Sequence, residues 1–287
     1  MSYKEEMEEF LKKYPYKEIS IGKATYRYVL FGEEDKPCVI FLNGGMNCSE
    51  MWFRYVEEMS GKYRTLIFDY PLELKTCNEN LEGIKELLLI LGIKKAFLAG
   101  ASFGGLMAQM FARQYPQMVT GMGLFSTAGL DERMIKTSRR KYMAMPILML
   151  YMKHCNYEKL KRKLTDTSIK KYAFQEKAED QEYLRQMFNY MFDGYTREKD
   201  IHITGMMPDA FKIKPCTKDD FSSIRDRVIL VFPEKDFFTP AEQGSLKNLF
   251  PDAKVEYVRN GHMGTVLEYK KYIELIDECI TEGTTVC

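Results

Sequence analysis

Short, dense apolar runs that alternate with amphipathic helical stretches restrict the fold of this chain more than any other feature. Cys38 to Leu42, Thr65 to Phe68 and Ala96 to Ala99 are such runs, each followed within a few residues by asparagine, proline or glycine. Runs this short and apolar suit strands buried on both faces of a parallel sheet. Between them, residues 49–59 and 81–91 read as helices, and in the second Leu81, Ile84, Leu88 and Leu91 share a face. The pattern continues with a helix over 103–115, where Leu106, Met107, Met110 and Phe111 align, and a strand at 119–125. It resumes with strands at 227–232 and 253–258, a helix at 241–250 between them, and a last helix from Thr265. Such βαβ alternation predicts an α/β fold with a doubly wound, mostly parallel sheet. Ahead of it, a polar helix precedes Glu18 to Ile21 and Thr25 to Phe31, an antiparallel edge pair turning at Gly22 and Lys23.

The interruption is the second feature. Residues 128–222 are helical, aromatic and Met-rich, with no strand-like run, and a structureless loop of that length would be exceptional. The expected organisation is a core of residues 1–127 and 223–287 carrying a helical lid of residues 128–222. A chain of 287 residues with 45% hydrophobic content can bury such a core, and its net charge of +1 supplies no global field for nucleic acid. Seven cysteines (Cys38, Cys48, Cys77, Cys155, Cys216, Cys279 and Cys287) are widely spaced without C-x-x-C pairs, which argues against a disulfide framework or a zinc site. Together with a Glu- and Lys-rich start and no long apolar stretch, they predict a cytoplasmic protein without stable membrane insertion.

The chemistry gathers at the ends of the apolar runs. Gly100-Ala101-Ser102-Phe103-Gly104 is a G-x-S-x-G sequence between a strand and a helix, the context in which a sharp turn strains and exposes a nucleophilic serine. On its own the pentapeptide also suits a glycine-rich packing turn, the less favoured reading. A serine nucleophile needs a base, and of the three histidines His262, in Asn260-Gly261-His262-Met263-Gly264, follows the last strand, where open α/β sheets collect their reactive groups. His154 and His202 fall within the lid and read as surface or lid residues. Asp236, after Val228 to Phe232, is the candidate acid that holds the histidine tautomer, with Glu234 its competitor. The order Ser, Asp, His suits the fold. Gly45, in Leu42-Asn43-Gly44-Gly45-Met46, and Phe103 are the candidate backbone N–H donors of an oxyanion hole.

GASFGG, FPEKD and NGHMG resemble the elbow, acid and histidine motifs of the α/β-hydrolase superfamily, and Leu42 to Trp52 resembles its oxyanion-loop segment. Phe68-Asp69-Tyr70-Pro71 is similar to its fourth-strand exit. The resemblance spans nearly the whole chain and implies an eight-stranded sheet with a cap between strands six and seven. Asn43 stands where the family usually carries the histidine of His-Gly, and Tyr70 to Asn80 is short and lacks the usual glycine-rich loop. In that brevity, and in an elbow running on to Ala108 and Gln109, the chain also resembles the maspardin-like branch, which is regarded as non-catalytic; here acid and histidine are both present.

These residues predict a serine hydrolase that cleaves an ester-type bond of a small to medium apolar acyl substrate through an acyl-enzyme, with no cofactor implied. The alternative is an inactive binding or scaffold protein on the same fold. Gly121-Met122-Gly123 lies in a late strand and is no dinucleotide fingerprint, and no metal-ligand set is legible. The basic segment Arg133 to Lys171, interleaved with Met and Tyr, suits an anionic substrate or a membrane surface; the plainer reading is solvated faces around an apolar pocket wall. An apolar lid exterior would also accommodate a homodimer.

Overall fold

The computed structural model describes residues 2–172, 177–234, 236, 238–259 and 261–282. Lys235 and Asn260 of the expected acid and histidine loops, residues 173–176 of the expected lid, and Cys287 lie outside the described residues. Eight strands form one sheet in the order β1-β2-β4-β3-β5-β6-β7-β8. They are β1 (Lys17–Ile21), β2 (Ala24–Phe31), β3 (Cys38–Leu42), β4 (Arg64–Phe68), β5 (Ala96–Ala101), β6 (Val119–Phe125), β7 (Val228–Pro233) and β8 (Lys254–Val258). β1 pairs with β2 and β2 with β4 antiparallel, and every other pairing is parallel. Gly22, at φ 57°, supplies the tight turn of the edge pair.

Alternate strand residues feed two cores. Ile40, Leu42, Leu66, Phe68, Leu98, Met122 and Leu230 pack on one face against α3 (Cys77–Ile90), α4 (Phe103–Gln114) and α10 (Pro240–Leu249). Val39, Phe41, Ile67, Phe97, Phe125 and Ile229 pack on the other against α1 (Tyr3–Lys13), α2 (Phe53–Met59) and α12 (Tyr269–Glu282). This two-sided burial explains why the strands read as continuous apolar runs rather than alternating ones. Helix ends differ from the sequence expectation where local hydrogen bonding intervenes. α3 starts four residues earlier than periodicity suggested, because Thr76 and Glu79 form a reciprocal cap. Residues 49–52 form a tight 3-10 turn ahead of α2, and the last helical stretch divides into α11 (Gly264–Leu267) and α12.

β3 runs through α2 to β4 on one side, and the chain then returns through α3 to β5 on the other side of β3. Right-handed crossovers in opposite directions put α2 and α3 on opposite faces and leave a crevice beyond the carboxyl ends of β3 and β5. Between β6 and β7 lie α5 (Glu132–Lys141), α6 (Met145–His154), α7 (Tyr157–Tyr172), α8 (Ala178–Asp193) and α9 (Arg197–Asp209).

The crevice closes tightly because glycines remove side chains where α4 crosses the sheet. A Cβ on Gly104 would run into the Leu42 carbonyl oxygen, one on Gly100 would meet the Gly104 carbonyl, and one on Gly105 would lie 2.5 Å from Thr127 Cγ2. Gly104→Ala is therefore expected to lower unfolding stability by about 2–3 kcal/mol, through overpacking against backbone. Gly61→Ala, where a Cβ meets open space, should stay within about 0.5 kcal/mol of wild type. Urea denaturation of the two variants checks the difference.

Candidate active site

Ser102 stands between β5 and α4 at φ 54° and ψ −118°, a conformation that L-residues rarely adopt. The turn is held from both sides. The Ser102 N–H donates to the Phe125 carbonyl at 2.9 Å, and its own carbonyl accepts from Thr127 Oγ1 at 2.7 Å and from the Gly105 N–H at 3.0 Å. Phe103 is the first residue of α4, so its N–H belongs to the helix end that lacks an intrahelical acceptor.

His262 follows β8 and lines the same cavity as Ser102, Phe103, Gly44 and Gly45. Its Nδ1 lies 3.0 Å from Asp236 Oδ1, and the Asp236 side chain is 1% exposed. Glu234, the competing carboxylate, is exposed. The cavity has a volume of about 380 Å³ and is walled by Met46, Met134, Met207, Phe211 and Phe238 among others, with Lys141 and Glu242 as its charged members. A Cβ on Gly45 would meet the Met207 methyl, the far end of a flexible side chain that would have to shift.

Buried amides tie down the loop after β3. Asn43 is fully buried; its Nδ2 donates to the Phe68 carbonyl at 2.7 Å, and its Oδ1 accepts from Trp52 Nε1 at 3.1 Å. Asn47, buried at φ 47°, donates from Nδ2 to the Tyr70 carbonyl at 2.9 Å and accepts from the Tyr70 N–H at 2.7 Å. These bonds lock the β3 and β4 exits together. Asp69 adds a third tie, accepting from the Ser49 N–H at 2.9 Å while pairing with Arg27 and with Lys199 of α9. The sequence reading gave no role to Asn47 or Asp69.

The other histidines lie elsewhere. His154 is exposed at the end of α6. His202, expected at the surface or in the lid, is buried in α9, where Nε2 donates to the Leu74 carbonyl at 2.7 Å. Burial holds its imidazole below the ordinary value, against an opposing effect of the Leu74 bond. Among the described residues no cluster of three or more His, Cys, Asp or Glu could hold a metal ion.

Two measurements test this account. Asn47→Gly and Asn47→Ala both lose the Tyr70 bonds, at about 1–3 kcal/mol. Only alanine adds left-handed strain, so it should be about 1 kcal/mol less stable than glycine by denaturant titration. Because folding depresses the His202 pKa, the unfolded chain binds the proton first as pH falls below about 6.5. His202 therefore favours the native state above that pH and ceases to do so below it. His202→Gln should flatten that part of the stability profile.

The fold recurs in known proteins. The family described as "Alpha/beta hydrolase domain containing 18" matches residues 84–283. "Epoxide hydrolase 1" of Caenorhabditis elegans is 32% identical over 111 residues, 35% of this chain and 28% of that protein. "Uncharacterized carboxylesterase nap" of Bacillus subtilis is 31% identical over 106 residues, 34% of this chain and 35% of that protein. The chain thus aligns with about a third of the length of these curated relatives. Among solved structures, carboxylesterase CesB (YbfK) from Bacillus subtilis superposes with a TM-score of 0.66 at 17% identity, covering 97% of this chain and 96% of that one. MGS-M2, an alpha/beta hydrolase enzyme from a deep-sea metagenome library, has a TM-score of 0.74 at 20% identity, covering 92% of this chain and 97% of that one. With the family match running from α3 to the end of α12 and the sheet shared throughout, this chain belongs to the alpha/beta hydrolase domain containing 18 family.

Proposed function

We propose that the protein is a serine hydrolase that cleaves an ester bond of a small to medium apolar acyl substrate. The observation that carries this reading is a serine in a strained elbow sharing one cavity with a histidine bonded to a buried aspartate. In the proposed reaction His262 takes the Ser102 proton through Nε2 as the oxygen attacks the substrate carbonyl. Asp236 fixes the imidazole tautomer through Nδ1 and stabilises the imidazolium that forms. The backbone N–H groups of Gly45 and Phe103 receive the negative charge that develops on the carbonyl oxygen. His262 returns the proton to the departing alcohol, and a water activated the same way releases the acid and restores Ser102.

The Met- and Phe-rich wall supports an apolar acyl group, since such a surface gains little from a polar one. We read residues 128–222 as a cap, because Met134 of α5, Met207 of α9 and Phe211 in the turn after α9 supply part of that wall. The carboxylesterases among the relatives support the ester reading. No described helix is long and apolar enough to cross a membrane.

Labelling with a fluorophosphonate, followed by ester hydrolysis across an acyl-chain series, tests the proposal. Wild type should label, Ser102→Ala and His262→Ala should not, and hydrolysis should fall by roughly a thousandfold or more in both. A folded wild type that takes no label, or a label that survives Ser102→Ala, would overturn the reading in favour of a binding protein. Faster turnover of short polar esters would reject the apolar acyl pocket.

A further inference from the structure

α6 has the sequence MPILMLYMKH, apolar at every position through Met152. A helix apolar on all sides is normally covered on all sides. Here one flank is covered: Met152 is buried, and the Met149 methyl lies against Gly205 of α9. The other flank is bare. Ile147 is 73% exposed, Leu150 59% and Tyr151 58%, with Leu148 beside them and Met143 just ahead at 76%. Among the described residues nine large apolar side chains are this exposed, and five of them fall within residues 143–151. Scattered exposed apolar groups need no explanation, but a cluster on one helix does.

The chain around this flank is strongly basic. Residues 133–171 hold twelve Lys or Arg against two acidic residues, Glu158 and Asp166. The rest of the chain, by difference from totals of 42 and 41, holds 30 against 39. Arg139, Arg140 and Lys141 end α5, Lys153 ends α6, and Lys159, Arg162 and Lys163 lie on α7; all are exposed.

We propose that the outer face of α6, with the basic residues of α5 and α7, docks onto the surface of a bilayer that carries anionic lipid. Apolar side chains flanked along the chain by exposed cations match such a surface in both of its properties, an acyl layer beneath a negative headgroup layer. A symmetric pairing of two copies through the same face would instead set cations against cations. Ten helical residues span about 15 Å, half of the hydrocarbon thickness of about 30 Å, so α6 lies along the interface rather than across it. Tyr151 suits the headgroup level, where aromatic rings with a polar tip concentrate. Ser138, Lys141 and Tyr142, at the end of α5 and the turn after it, line the Ser102 cavity, so the basic end of α5 is also part of the cavity wall. Its use in presenting lipophilic esters rests on the hydrolase reading; its existence does not.

Vesicle flotation with the full chain tests the surface. Phosphatidylcholine vesicles containing phosphatidylglycerol should retain the wild type, and pure phosphatidylcholine vesicles should retain it roughly tenfold less or worse. Ile147→Ser with Leu150→Ser should lower retention by roughly tenfold or more, and Arg140→Gln with Lys153→Gln should lower it while reducing its salt dependence. Fluorophosphonate labelling, or the circular dichroism melt if the wild type takes no label, shows that each variant is folded. Absence of wild-type binding, equal retention by both vesicle types, or folded variants that bind like wild type would overturn the proposal. So would a concentration-dependent oligomer dissolved by Ile147→Ser with Leu150→Ser, since a second copy would then cover the face. Vesicle binding by Ser102→Ala, or by a wild type that takes no label, would support the surface independently of catalysis.

Discussion

Close contact between the amino end of α4 and the carboxyl end of β3 is the constraint on which the rest of the site depends. Gly104 sits against the Leu42 carbonyl, and Gly100 and Gly105 clear the approach on either side. With that contact made, the chain between Gly100 and Gly104 has little conformational choice, and Ser102 is driven to a positive φ. Such strain costs of order 1–3 kcal/mol and persists only where the surroundings over-determine it. Hydrogen bonds to the Phe125 carbonyl and from the Thr127 hydroxyl, both at the exit of β6, provide that over-determination. Three neighbouring strand ends thereby act as one rigid mount.

The two walls of the crevice use opposite chemistry for the same purpose. On the β3 side, fixed position comes from buried amides: Asn43 and Asn47 bond backbone groups of Phe68 and Tyr70, which no apolar residue could satisfy. A buried polar group is tolerable only when its partners are supplied, and a satisfied one specifies a single geometry. On the opposite wall, Met and Phe side chains from α5, α9 and their flanking turns give shape without direction. The position of the β3 loop is thus set by hydrogen bonds, whereas the volume facing Ser102 is set by side chains that can repack.

The helices between β6 and β7 meet two environments. Their inner flanks bury Met134, Met187, Phe188 and Met206. The outer flank of α6 leaves comparable side chains uncovered, amid nearly a third of the chain's basic residues. Charge this unevenly distributed in a chain of near-zero net charge is invisible to bulk composition, because the acidic excess elsewhere cancels it.

Much of the fold was legible in the sequence because its signals are local. Strand runs, the elbow glycines and the short motifs around Ser102, Asp236 and His262 each occupy a few consecutive residues, and each reflects a steric or hydrogen-bonding preference legible without a distant partner. What only the tertiary structure decided are relations between residues far apart in the chain. Asp236 rather than Glu234 reaches His262 because the loop after β7 buries one carboxylate and exposes the other. His202 is buried because α9 packs over the loop at Leu74, 128 residues earlier in the chain. Asn47 and Asp69 join separate strand exits, and neither residue carries a sequence mark of its partner. Periodicity and glycine placement report which way a short segment can bend and which face it must hide. The packing of one element on another, which depends on the whole folded arrangement, selects which polar groups meet and which apolar face is left uncovered.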